Sequence, residues 1–381
     1  MKKSIVWGTC WFNEPIETLV EFYKSSIRSL QKMNFKVIPV IFDAKYDKNN
    51  NKELNYITKN IDDVIIIKNN INIFPNKNYG VALISNKAFD LMADYVAIVD
   101  SDWSIKENYS FIENILLTLI KSDYDIIIPN IGNASGRSNI LVGKTAISLF
   151  YPDFLDIIVT AFPGSVVAKT SKLHVIVNDE NYHFDWGGEW DIISIAINHN
   201  MKINSAFVEV ENIRHRPNTS KILDGFQIWR AILGNSDMTN RFKYLKQYNK
   251  EVIPYNDISR NVLEHNYSIL DLINILENDD ATDTEKQILY MILYPIAFLT
   301  GKITKLPVIE SSNKMPYNKE ELNTISDFAI YCAKIALCNV DVQEMLNRCK
   351  TAKCEFLSEW NFEIQKQLLK EGSDYNKWNL L

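Results

Sequence analysis

One stretch constrains this chain more than any other: the apolar run Tyr95-Val-Ala-Ile-Val99, which breaks abruptly into Asp100-Ser-Asp102. An apolar segment this short, closed by turn-forming acids, predicts a buried parallel strand with two carboxylates at its C-terminal edge. Open α/β sheets bind ligands at that edge. Residues i and i+2 of an extended segment point the same way, so if strand geometry continues past Val99 both acids can approach one hard cation. The plainer meaning of a lone Asp-x-Asp is a solvated turn after a core strand. The surrounding pattern separates the two.

Upstream, apolar strands alternate with helical stripes. Ser4–Trp11 reads as a first strand, and the acids and proline of Asn13-Glu-Pro-Ile-Glu open a helix whose apolar residues recur at Leu19, Phe22, Tyr23, Ile27 and Leu30. Phe35–Phe42 and Asp63–Lys68 are further strands, and Asn76–Met92 is a glycine-containing turn feeding a helix. Alternation of this kind predicts right-handed crossovers and a mostly parallel sheet flanked by helices. Beyond Asp102, Glu107–Leu119 is an amphipathic helix and Tyr124–Pro129 a strand. Asn130–Asn139 is rich in turn formers and aperiodic, the kind of loop that contacts ligands. Ile140–Leu149 and Phe154–Val159 return to helical packing.

A second cluster then follows. Phe162-Pro-Gly164 is a turn whose backbone can approach a ligand at the glycine, and a strand leads away from it. Phe184-Asp-Trp-Gly-Gly-Glu-Trp-Asp191 sets Asp185, Glu189 and Asp191, with Trp186 and Trp190, around a double glycine at the mouth of an apolar helix. The helix dipole explains one acid there, but not three. Lys202–Val210 is a last strand, and Ile213-Arg-His-Arg-Pro217 follows it. From Leu223 onward long helical patterns dominate, among them Phe226–Leu233, Ile269–Leu276, Glu285–Leu299, Glu320–Cys338 and Val342–Leu369. The expected division is therefore an α/β catalytic domain over residues 1–222 and an all-α region over residues 223–381.

Composition narrows the function classes. With 381 residues, 46% of them hydrophobic, the chain can bury a sizeable core. A net charge of −6 offers no general attraction to nucleic acid or anionic membranes. Five cysteines without paired Cys-x-x-Cys spacing fit reduced thiols in a cytoplasmic protein. No apolar run reaches the 18 or so residues of a membrane span, and none at the N-terminus resembles a signal peptide.

Taken in order, Asp100-Ser-Asp102, Phe162-Pro-Gly164, Asp185-Trp-Gly-Gly-Glu189 and His215-Arg-Pro217, followed by a helical tail, resemble the mannosylglycerate synthase family of retaining, GT-A fold, nucleotide-sugar glycosyltransferases. The Trp-Gly-Gly-Glu segment is also similar to the acceptor and catalytic region of polypeptide N-acetylgalactosaminyltransferases, which extends the acceptor expectation to Trp186. The resemblance implies that Asp102 and His215 ligate Mn²⁺ or Mg²⁺, with Asp100 on the metal or the donor ribose. It implies that Thr9, Glu14, Asp43 and Lys77 line the donor, that Gly164 faces sugar or acceptor, and that Asp185 or Glu189 sits beside the reacting centre. Asp191 completes the set of candidate catalytic carboxylates. Arg214 or Arg216 could add a guanidinium to the diphosphate. In mannosylglycerate synthases an arginine after the strand matching Tyr124–Ile128 holds the acceptor carboxylate; here Pro129-Asn130 stands there, and Arg137 is the candidate substitute.

The chemistry agrees with the resemblance, because a nucleoside diphosphate leaves readily only once its charge is neutralised by a Lewis acid. The expected activity is transfer of a hexose from a GDP- or UDP-sugar to a small hydroxylated acceptor. Two alternatives stand beside it. One keeps this donor half with a glycan, protein or hydroxymethylated DNA base as acceptor. The other is a catalytically silent scaffold that forms a homo-oligomer through its helical region.

Overall fold

Strand β1 (Ser4–Trp11) is buried on both faces, as its near-continuous apolar sequence requires. Its odd residues, Ile5, Trp7 and Trp11, join one core layer with Leu19, Tyr23 and Leu30 of helix α1 (Ile16–Lys32). The opposite face packs on α3 (Lys77–Asp90), which follows β2 (Lys36–Asp43), α2 (Asn51–Asn60) and β3 (Ile65–Lys68). Next come β4 (Tyr95–Ile98), the two-residue β5 (Ser104–Ile105), α4 (Ser110–Lys121) and β6 (Ile126–Asn130). A helical stretch comprising a π-helix (Ser138–Gly143) and α5 (Lys144–Phe150) intervenes before β7 (Val166–Lys169), α6 (Thr170–Val177), α7 (Gly187–Asn198), β8 (Ile203–Phe207) and β9 (Val210–Asn212).

Seven of these strands form one sheet in the order β3-β2-β1-β4-β7-β6-β8. All pairings are parallel except those of β7, which runs antiparallel to both β4 and β6. The α/β architecture expected from the alternation is present, with β7 as its one reversed strand. This reversal points the start of β7, and the turn at Gly164 before it, toward the C-terminal end of β4. A separate ribbon pairs Ser104 of β5 with Asn212 of β9.

Helix-to-strand connections are short and share one device. Asn34, Asp63, Met92, Asp123 and Asn200, which follow α1, α2, α3, α4 and α7, all adopt the left-handed conformation, with φ between 51° and 66°. Asparagine and aspartate tolerate this region better than other L-residues. Met92 has no such advantage and is 87% exposed.

The helical elements α8 (Lys221–Gly234), α9 (Met238–Gln247), α10 (Asp257–Glu264), α11 (Ile269–Glu277), α12 (Glu285–Ile288), α13 (Tyr294–Leu299) and α14 (Lys319–Leu337) complete the described chain, with residues 342–352 also helical. The run expected as one helix from Glu285 to Leu299 is α12, a π-helical stretch (Leu289–Leu293) and α13 in succession. Two capping boxes start α10 and α11, at Asn256 and Ser268.

The computed structural model describes residues 2–11, 14–45, 51–70, 77–101, 104–105, 110–132, 136–162, 164–208, 210–212, 221–278, 280–307 and 318–352. They fall into two compact units, one spanning residues 1–134 and 163–214, the other 135–162 and 215–364. This grouping differs from a single cut after residue 222 in placing the boundary after residue 214 and in counting Ser135–Phe162 with the helical unit. Phe154–Val159, expected to be helical, contributes only the end of a short 3-10 turn, Pro152–Phe154. Among the described residues no helix is long and apolar enough to cross a membrane.

Candidate functional site at the strand edge

Asp100 follows β4 at the C-terminal edge of the parallel strands, and the fold holds it from three sides. Its backbone N–H donates to Ser165 Oγ at 3.0 Å. One residue earlier, the Val99 carbonyl accepts the hydroxyl of Thr9, and one residue later Ser101 Oγ donates to the Cys10 carbonyl at 3.0 Å. The ends of β1 and β4 are thereby tied together by side chains where their backbone pairing stops.

Lys77, the first residue of α3, reaches into this edge. Its Nζ lies 2.7 Å from Asp100 Oδ1 and 2.8 Å from Glu189 Oε1, joining two acids that are 89 positions apart in the sequence. Burial alone would lower the lysine pKa, but Asp100 and then Glu189 outweigh it and hold the ammonium well above its usual range. Lys77 is thus a permanent cation and not a base. Neighbouring Cys10, whose thiol donates to the Lys77 carbonyl at 3.4 Å, is pushed well up by burial, partly opposed by Lys77, and stays neutral.

Gly164 closes the site. Its φ is +76°, and a Cβ there would lie 1.7 Å from Asp100 Oδ2 and 2.9 Å from Lys77 Nζ. The left-handed backbone conformation favours glycine, and any Cβ there would displace the Asp100 carboxylate and the Lys77 ammonium. Gly188 is required for a different reason, since a Cβ would lie 2.2 Å from the His183 carbonyl and 2.6 Å from Asn78 Cβ. The double glycine lets the start of α7 sit directly on the start of α3.

The three acids of this segment separate into different roles. Glu189 faces Lys77. Asp185 turns back on its own helix, accepting the Gly187 N–H on Oδ1 at 2.9 Å, while its carbonyl accepts from Asn78 Nδ2 at 2.6 Å. Asp191, 1% exposed, accepts both the backbone N–H of His183 at 2.7 Å and, at 2.8 Å, the ring Nδ1. Burial pushes its carboxyl above the usual range; His183 opposes that shift and Asp185 adds to it. Trp186 precedes α7, its ring centroid 5.8 Å from Lys77 Nζ.

Other expected positions are placed as follows. Thr9 is fully buried with its hydroxyl on the Val99 carbonyl, so it shapes the edge from beneath. Asp43 is buried at the end of β2 and accepts the Lys45 N–H at 3.3 Å. Glu14 is half-buried, its carbonyl accepting Trp11 Nε1 at 2.9 Å. Arg137 belongs to the helical unit, where it is buried, donates to Gln287 Oε1 and immediately precedes the π-helical stretch. Asp102, Arg214, His215 and Arg216 lie outside the described residues. Asn78, Ser165 and His183, which build this site as firmly as any expected residue, were not singled out by the sequence pattern; the only local signal was the amide-rich run around Lys77.

Among the described residues no three His, Cys, Asp or Glu side chains converge to hold a metal. Of the three expected ligands Asp100 alone is described. Its carboxylate is a hard donor suited to Mn²⁺ or Mg²⁺, with Oδ1 engaged by Lys77 and Oδ2 facing Gly164.

Fold and site together define an α/β protein with a mostly parallel sheet and a charged, glycine-lined site at the carboxyl edge of its strands. Structures similar to it include crystal forms of glucosyl-3-phosphoglycerate synthase from Mycobacterium tuberculosis. The complex with phosphoglyceric acid has 14% identity and a TM-score of 0.48 over 61% of this chain and 79% of that one. The complex with Mn²⁺, uridine diphosphate and glucosyl-3-phosphoglycerate gives 14% identity and a TM-score of 0.47 over the same shares. A further structure of that enzyme has 13% identity and a TM-score of 0.46 over 63% and 81%. Overlap at this level is a partial likeness and assigns no activity. No protein-family model matches the chain, and no curated protein sequence is similar to it.

Proposed function

We propose that this chain is a metal-dependent glycosyltransferase of the GT-A type, moving a hexose from a UDP- or GDP-linked donor to a hydroxyl of a small polar acceptor with retention of anomeric configuration. The observation that carries this reading is Lys77 held between Asp100 and Glu189 at the strand edge where α/β sheets bind ligands. A fixed ammonium there complements a departing diphosphate, and Glu189, the acid that faces Lys77, is the carboxylate assigned to stabilise positive charge at an anomeric carbon. Asp185 and Asp191 serve instead to set the start of α7, since a helix N–H and His183 respectively engage them. Gly164 and Trp186 flank Lys77 and are the acceptor-side candidates.

A divalent metal would supply Lewis-acid neutralisation of the diphosphate. Asp100, Asp102 and His215 would hold it. Support comes from the β5–β9 register: Ser104, two positions after Asp102, pairs with Asn212, three positions before His215. The strand that follows Asp102 and the strand that precedes His215 are hydrogen-bonded to each other.

The test is incubation with Mn²⁺ and a panel of UDP- and GDP-hexoses, following nucleotide release by chromatography. Slow donor hydrolysis is expected, suppressed by Asp102→Ala and by His215→Ala. Hydrolysis unaffected in both variants would remove the metal assignment, and a panel with no donor bound or hydrolysed would remove the whole reading.

A further inference from the structure

Asn78 is the second residue of α3, adjacent to Lys77, and is 1% exposed. Its Nδ2 donates to the Asp185 carbonyl at 2.6 Å, while its own carbonyl accepts the Tyr182 hydroxyl at 3.2 Å. A carbonyl partner on one end of the amide fixes which end is nitrogen, so the oxygen must point the other way. That oxygen, Oδ1, is buried and accepts no hydrogen bond. Buried amide oxygens are costly to leave unpaired, and those that persist commonly serve a ligand or a water.

The space beside Asn78 fits that role. A small cleft, with room for about one water-sized group, is walled by Asn78, Lys77, Gly164, Ser165 and Glu189 over an apolar floor that includes Ile98 and Ile192. Two of its walls are the ion pair on which the proposed transfer depends. A hydroxyl is the donor of matching size, because it can give its proton to Oδ1 while its carbon rests on the apolar floor. The amide nitrogen is held by the Asp185 carbonyl and the Asn78 backbone by the Tyr182 hydroxyl, so the amide oxygen reads position as well as polarity.

We infer that Asn78 Oδ1 accepts a hydrogen bond from one ring hydroxyl of the transferred hexose, which makes Asn78 a residue that selects the donor sugar. This rests on the glycosyltransferase reading and adds to it a named contact and a substrate requirement: a hexose with a free hydroxyl at one defined carbon. A site built to pair a hydroxyl rejects the analogue lacking it, by roughly 10- to 100-fold for a single neutral contact.

The experiment first measures binding of UDP and GDP, each without a sugar and with Mn²⁺ present, to the full chain by calorimetry, then turnover of glucose, galactose and mannose linked to the nucleotide that binds. The monodeoxy analogues of the best donor follow, with wild-type protein and with Asn78→Ala. Wild type is expected to lose roughly 10- to 100-fold in kcat/KM with one deoxy position and little with the others. Asn78→Ala is expected to treat that analogue and its parent alike. Equal use of every deoxy analogue by wild type overturns the inference, and so does an Asn78→Ala protein that keeps the discrimination. The wild-type series needs no substitution and decides the matter even where Asn78→Ala fails to fold. Failure of both nucleotides to bind would instead overturn the proposed function, and this inference with it.

Discussion

Lys77 is a largely buried cation held between two acids. Its loss leaves Asp100 and Glu189 facing each other with no cation between them, at side-chain exposures of 22% and 9%. Breaking a buried pair in this way costs about 3–5 kcal/mol, and the partial exposure of Asp100 places Lys77→Met near 3 kcal/mol by urea denaturation. Adding Asp100→Asn and Glu189→Gln to Lys77→Met should recover most of that loss; a triple variant as unstable as the single one would show that the lysine stem, and not its charge, was at work. Because the folded pKa of Lys77 is raised above 10.5, its contribution is intact below that value and is lost only as pH climbs through the higher folded value. Asp191 works in the opposite part of the pH range. Its folded pKa is raised above 3.8, so the native state binds the proton more tightly and stability falls as pH rises from 3.8 toward the folded value. Asp191→Asn should flatten that decline in urea melts taken from pH 4 upward, and an unchanged slope would exclude Asp191 as its source. Asp100 and Glu189 were legible as acids at the end of a strand and the mouth of a helix, whereas Lys77 entered only through the family resemblance. Sequence pattern could not indicate that one ammonium joins them, because that contact depends on tertiary closure over 89 positions.

At the scale of elements, local patterns spoke clearly wherever an apolar run was bounded by turn formers, as at Ser4–Trp11 and Lys36–Asp43. They were silent on direction, because Val166-Val-Ala168 is equally apolar whether it runs parallel or antiparallel. They also passed over α6, which begins at Thr170 immediately after β7 with no intervening loop to mark it. The turn before β7 is where backbone and chemistry meet. Gly164→Ala should cost about 1–2 kcal/mol for the left-handed conformation alone, with more from the approach to Asp100 Oδ2, and it should weaken nucleotide binding by displacing that carboxylate. Wild-type stability and binding in this variant would remove Gly164 from the site. The helix-to-strand turns offer a stabilising counterpart. Met92 adopts φ of 51° while exposing nearly all of its side chain, so Met92→Gly should raise stability by about 0.5–1 kcal/mol. A destabilised variant would mean that the methionine side chain makes a contribution its exposure does not suggest.

For the whole molecule, the mixed sheet gives the site its character. Six strands sharing one direction gather their C-terminal ends at one edge, and the reversed β7 delivers the Gly164 turn to that same edge from the other side. Helices α3 and α7 start there as well, bringing Lys77 and Glu189. A chain with these elements in another order could carry the same motifs without joining them. The expectation drawn from Asp100-Ser-Asp102 concerned a shared ion; the described part of the site adds a resident lysine cation that the motif did not announce. The account stands on Asp100, Lys77 and Glu189 forming the seat of a nucleoside diphosphate sugar. Calorimetric titration of the full chain with UDP and GDP, each with and without Mn²⁺, tests this most directly, with Asp100→Asn as the paired variant. The account predicts Mn²⁺-dependent binding of one nucleotide, weakened roughly tenfold or more by Asp100→Asn, which corresponds to about 1.4 kcal/mol or more. No binding of either nucleotide in the presence of Mn²⁺, or equal binding by Asp100→Asn, would contradict it.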